Sequence, residues 1–171
     1  MKVVFAGVLL VGLLVAGLAL ALRTVPHSMS QPSTQLAVSR DAAVVSYREM
    51  VNADIQTIDV EYQRGWTCKT RDACIAAQAT VKAATNALLN DAATNPAPTS
   101  LATAEQQLKA AAEQFVVQLD AAVALIREPN SNFVVAAGAP NVHDLDYAVA
   151  TIVCWPLKPV ETETHTNMAC A

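Results

Sequence analysis

The sequence predicts an all-α protein: an up-down antiparallel bundle of about four helices behind an N-terminal apolar helix, with the fourth bundle helix kinked or split near Gly138-Pro140. Three observations carry this. Hydrophobic residues make up 53% of the chain but aromatics only 5%, so the core must be built mostly from Ala, Val, Leu and Ile, a composition that suits close-packed helices. Of five glycines, Gly7, Gly12 and Gly17 fall in the N-terminal apolar run, which leaves Gly65 and Gly138 for the rest, too few for a turn-rich sandwich or barrel. Prolines 26, 32, 96, 98, 129 and 156 stand between stretches of helical periodicity. Connections of two to ten residues between long helices favour antiparallel neighbours.

The first element is Val3–Leu22, an unbroken apolar run of about 20 residues, long enough to cross a bilayer as a helix. Two readings compete for residues 1–22. As a signal anchor the run exceeds the usual apolar stretch of a cleaved signal; as a signal peptide it offers Ala19-Leu20-Ala21 or Ser28-Met29-Ser30 for cleavage. Lys2 and Arg23 nearly balance, so flanking charge leaves orientation open. Export is the usual fate of a lone N-terminal segment, and the cysteine count favours it. Expected locations are therefore a single-pass membrane protein with its domain outside the cytoplasm, or a secreted one after cleavage. Residues 23–35, with Pro26, Pro32 and three serines, form a linker that uncouples this segment from the domain.

The bundle domain is expected over residues 36–156. A first helix runs from Leu36 or Ser39 to Tyr62, with Ser39 as N-cap. Val44, Val51, Ile55, Ile58 and Tyr62 form its stripe, interrupted by Arg48, while Asp54, Asp59 and Glu61 face water. A loop from Gln63 to Arg71 follows. Asp72 caps a second helix, Ala73–Ala93, whose stripe is Cys74, Ala77, Val81, Ala84 and Leu88; Asn95-Pro96-Ala97-Pro98 ends it. Ser100 caps a third helix to Arg127, with Leu101, Ala104, Leu108, Ala111, Phe115, Leu119, Ala122 and Ile126 on one face. The fourth region, Asn130–Trp155, is interrupted at Gly138-Ala139-Pro140. Asn141 caps its second half, and Val142, Leu145, Val149 and Ile152 supply the stripe. Residues 157–171 are a tail with few apolar anchors.

Four cysteines permit three pairings, and the topology chooses among them. In an up-down bundle Cys68 and Cys74 lie at the end far from the membrane, and Cys154 at the near end. A helix of about 20 residues spans about 30 Å, whereas disulfide-linked Cα atoms sit within about 7 Å. Cys68–Cys74 and Cys154–Cys170 are the pairs that remain. The first fixes the shape of the loop; the second clamps the tail to the bundle.

Function classes are narrowed mainly by exclusion. With 11 Lys+Arg against 15 Asp+Glu the net charge is −4, so nucleic acid is not an expected partner. A single C-x5-C has no second ligand pair at zinc spacing and is not a redox C-x-x-C. No Glu-x-x-His pair, haem-attachment motif, nucleophile elbow, zincin motif or phosphate-binding glycine loop occurs. Met50 and His143 share a level in the expected bundle, but each is turned away from its stripe, which argues against noncovalent haem. His143-Asp144-x-Asp146 reads as acidic residues at a helix N-terminus rather than as a metal cluster, and Glu161–His165 as a solvated tail. No cofactor, metal or catalytic residue is expected, and the chain is not read as an enzyme.

One patch stands out. Arg64, Trp66, Lys69 and Arg71 crowd into the loop beside Cys68 in an otherwise acidic domain. An aromatic with arginine is the composition of an interface hot spot. A disulfide there would lower the ordering cost of binding a protein or anionic ligand. The leading expectation is thus a binding or interaction module; the alternative is a structural spacer of the cell envelope, and a metal- or haem-binding bundle stands behind both.

Overall fold

The structure, a computed structural model, describes residues 41–161 and 168–170. The expected apolar helix, its linker, the Ser39 cap and most of the Glu161–His165 segment lie outside them. Among the described residues no helix is long and apolar enough to cross a membrane.

The fold is mostly helical: α1 (Ala42–Gly65), α2 (Arg71–Thr94), a 3-10 turn (Thr99–Leu101), α3 (Ala102–Arg127), α4 (Phe133–Ala137) and α5 (His143–Cys154). Contacts fix how the long helices run. Gly65 approaches Ala77 and Gln78, so the end of α1 meets the start of α2. Lys82 pairs with Asp120, and Arg71 reaches Ile126 and Glu128, so α2 and α3 are antiparallel. Arg48 bonds Ile152 and Tyr62 bonds Pro140, so α1 and α5 are antiparallel too. Each long helix thus runs against its neighbours, as the short connections predict.

The core is the aliphatic stripe of each helix, with Phe115 as the largest side chain fully inside. Val44, Val51, Ile55 and Ile58 of α1 are buried as expected, and Tyr47 joins them. On α2 the buried line is Cys74, Gln78, Val81, Thr85, Leu88 and Ala92. Ala77 and Ala84 are half-buried beside it, so the stripe is rotated toward two polar residues. Hydrogen bonds offset this burial, for Thr85 through its hydroxyl and for Gln78 in part, since its Oε1 is buried without a donor. The Gln78 amide donates to the Ala137 carbonyl at 2.8 Å, and the Thr85 hydroxyl to the Val81 carbonyl at 3.0 Å.

The caps differ from expectation for local reasons. Asp41 caps α1 by accepting from the Ala43 N–H at 3.0 Å. Thr70, not Asp72, caps α2: its backbone is extended and its hydroxyl accepts from the Ala73 N–H at 3.2 Å, which leaves Asp72 inside the first turn. Ser100 caps nothing; it sits within the 3-10 turn that Pro98 introduces, and α3 begins two residues later without a side-chain cap. Val142, not Asn141, holds the N-cap position of α5; the Asn141 side chain, one residue earlier, accepts from the His143 N–H at 3.0 Å.

The fourth region is split outright. Only Phe133–Ala137 and His143–Cys154 are helical, separated by Gly138–Val142. Both disulfides form as the topology requires, Cys68–Cys74 and Cys154–Cys170, each with Cα atoms 5.1 Å apart. Among the described residues of the tail, two short stretches are strands. Pro159–Glu161 (β1) pairs antiparallel with Met168–Cys170 (β2), with Pro159 opposite Cys170. This two-stranded ladder lies against α5.

Candidate functional site

The four residues of the expected contact patch are not placed alike. Arg71 is committed to the fold. Its guanidinium donates to the carbonyls of Ile126, Glu128 (2.6 Å), Pro129 (3.3 Å) and Ser131 (3.3 Å) and to the Ser131 hydroxyl (3.1 Å). It also lies 5.3 Å from the Phe133 ring centroid. These bonds satisfy the carbonyls that end α3. Arg64 pairs with Glu61 on its own helix and stays exposed. Lys69 is exposed. Trp66 is 59% exposed, more than Tyr147, the other exposed aromatic among the described residues.

Trp66 stands at the C-cap of α1, in a turn closed by hydrogen bonds from Thr67 to Arg64 and from Cys68 to Gly65. The Cys68–Cys74 disulfide then ties this turn to the opening of α2. The indole lies against Gly138 on one side and makes a T-shaped contact with Tyr62, with centroids 5.9 Å apart and planes at 81°. Tyr62 is anchored in turn. It packs edge-on to Phe115 and its hydroxyl donates to the Pro140 carbonyl at 2.5 Å. The ring pair is therefore fixed by the core on one side and by the α4–α5 link on the other.

These rings form one wall of a groove of about 560 Å³ between the last turns of α1 and the start of α5. Asp59 and Gln63 come from α1; Asn141, Val142, His143 and Asp146 come from α5 and the link before it. The splitting of the fourth helix makes this groove. Asn141 is held by its N–H donating to the Gln118 side chain at 2.7 Å, so α5 starts in a fixed register beside Asp59 and Tyr62.

Two carboxyls face each other across α1 and α5. Burial pushes Asp146 up from 3.8 to about 7; the nearby Asp59 carboxylate adds to the shift and His143 opposes it. Burial also raises Asp59, and it raises Tyr62, with Asp146 adding to the latter. Oδ1 of Asp146 is sealed from solvent with no hydrogen-bond donor. The expectation that Asp54, Asp59 and Glu61 face water is thus corrected: each is half-buried, because α2 and α5 pack close on either side of α1. Asp59 and Asp146 belong to a site that the helical stripe alone could not reveal. The sequence places Asp59 in water and reads Asp146 only as an acidic residue at a helix N-terminus.

The other constellations fall apart in space. Met50 lies near Asn95–Pro98, at the opposite end from His143, which lines the groove beside Tyr62. The shared level expected for these two residues assumed an intact fourth helix; the split lets α5 start later and higher. His143 Nδ1 is 3.6 Å from Asp144, its chain neighbour. Among the described residues no three His, Cys, Asp or Glu side chains are grouped to hold a metal ion.

No family model matches this chain, and neither the curated proteins nor the solved structures searched contain a match.

Proposed function

We propose that this chain is a non-enzymatic binding module working outside the cytoplasm, tethered by Val3–Leu22 or released after its cleavage, and that it takes its partner at the Trp66 groove. The observation that carries the reading is the placement of Trp66: mostly exposed, yet held from three sides, by the disulfide-closed turn, by Tyr62 and by Gly138. A large ring fixed in place while exposed gives contact area at little ordering cost. Two formed disulfides suit an oxidising compartment. Arg64 and Lys69 remain available at the rim; Arg71 leaves the contact set because its donors are used within the fold.

The test is crosslinking on intact cells with the native chain and with Trp66→Ala. The substitution touches an exposed side chain, so the fold should survive it, as circular dichroism will check. Loss of the captured partners supports the reading. The same partners captured by both proteins overturn it and leave a structural spacer, which requires no free aromatic at its end.

A further inference from the structure

The geometry points to an alkylammonium subsite in the Trp66 groove, in which Tyr62 and Trp66 form the aromatic walls and Asp59 and Asp146 supply the countercharge. This deepens the proposed function and rests on the groove being the binding site.

The argument begins with how the fold treats its other exposed-edge aromatics. Phe133 carries Arg71 at 5.3 Å from its centroid, and Trp155 carries Arg48 at 5.9 Å. These two rings each carry a cation supplied by the fold. Among the described residues no Lys or Arg lies over Tyr62 or Trp66 or lines the groove they wall. Arg64, the nearest in sequence, is turned to Glu61. The groove has what the other two places have, a π face, and adds two carboxyls drawn together from α1 and α5. No Lys or Arg lines it; its own cationic group is His143, whose charge acts against the rise of Asp146.

The shape agrees with the charge. The two rings meet edge to face at 81° rather than stacking, and both line the groove. An ammonium or methylated ammonium head is drawn to such faces by the ring quadrupole, more strongly when partly desolvated. Burial and the Asp59 carboxylate keep a proton on Asp146, and a cation bound beside them favours its release, because an opposite charge stabilises the carboxylate. A volume of about 560 Å³ admits an alkylammonium chain with room to spare. An anionic ligand, by contrast, would meet Asp59 and Asp146.

The head group can belong to a lysine side chain on a protein or to a free amine, and the experiment separates them. The full chain is titrated by NMR with butylammonium, with tetramethylammonium, with a short lysine-containing peptide, and with butanol as the neutral match. The expected result is saturable shifts of the Trp66 indole N–H and the Asp146 amide with the cations and none with butanol. Asp146→Asn and Trp66→Ala should each weaken binding at least tenfold. Asp146→Asn keeps the size of the half-buried side chain, so the fold is kept, and Lys82→Ala serves as a remote control that leaves binding unchanged. Tighter binding of the peptide than of butylammonium assigns the site to a protein partner; the reverse assigns it to small amines. Equal response to butanol, shifts confined to other residues, or unchanged affinity in Asp146→Asn overturns the subsite. If the cations fail to bind while Trp66→Ala still abolishes capture on cells, the subsite falls and the binding module stands.

Discussion

The two ends of the bundle are closed by the same device and differ in what is left over. At the tail end, Arg48 of α1 donates through Nε to the Ile152 carbonyl at the close of α5 and lies over Trp155, next to the Cys154–Cys170 disulfide. At the loop end, Arg71 of α2 gathers the carbonyls that close α3 and lies over Phe133, near the Cys68–Cys74 disulfide. In each case an arginine from a neighbouring helix ends a helix, covers a ring and sits beside a sulfur bridge. Arginine suits this use because its planar fork serves several acceptors while its face stacks on an aromatic. The tail end stops there. The loop end adds an exposed tryptophan and a groove with two raised carboxyls. Because the closing hardware is shared, it says nothing about function; the surplus at one end is what marks a site.

Removing the disulfides one at a time gives the largest expected effects. In the chain-entropy account, the Cys154–Cys170 link, with a sequence separation of 16, contributes about 3 kcal/mol, and the Cys68–Cys74 link, separated by 6, about 2 kcal/mol. Urea unfolding of the two double Cys→Ser variants should preserve this order. A larger loss at the loop end would mean that the short link holds the bundle rather than a turn. The arginines should rank the other way. Arg71→Ala strips four carbonyls and one hydroxyl of a donor and should cost about 2 kcal/mol, whereas Arg48→Ala loses one carbonyl bond and a ring contact and should cost about 1 kcal/mol. Equal losses in denaturation midpoint would reduce Arg71 to an ordinary surface cation.

The smallest effect belongs to the groove. Folded Asp146 holds its proton to about pH 7, while an unfolded aspartate releases it near 3.8. The native state binds more protons than the unfolded state between these values, so stability is greatest at the acid side and falls as pH rises through 7. Solvent reaches part of this side chain, so the change between pH 5 and pH 8 is discounted to about 1 kcal/mol. Asp146→Asn should flatten most of the slope, and Arg48→Ala should leave it alone. A slope that survives Asp146→Asn would move the titration away from the loop end.

The helices and their directions were legible because burial on a helix repeats every three to four residues, and the apolar stripes of α1 and α3 carry that period over many turns. The disulfide pairing was legible as well, since a 30 Å helix leaves no other choice once the topology is set. Caps were harder. Thr70 and Asp72 are equal candidates by residue type, and the choice falls to whichever backbone is extended where the disulfide turn delivers the chain. The three-residue strands of the tail are too short for any alternation to show. The groove was the least legible part. Trp66 could be singled out by composition, but Asp59 and Asp146 are nearly 90 residues apart and off their stripes. Their meeting depends on where α5 begins, and that follows from the Gly138–Val142 break and the Gln118–Asn141 bond.

Apart from the exposed Lys82–Asp120 pair, most ties between helices share one further trait. Arg48 bonds the carbonyl of Ile152, Tyr62 that of Pro140, Gln78 that of Ala137, and Arg71 those of Ile126, Glu128, Pro129 and Ser131. In every one of these, one partner is main chain. A main-chain acceptor is present whatever residue occupies its position, so mutation can remove only the donor. For a sequence under drift, each such tie has a single point of failure instead of two. Positions such as Ile126, Ala137 and Ile152 can vary within the limits of packing, while these ties rest on the side chains of Arg48, Tyr62, Gln78 and Arg71.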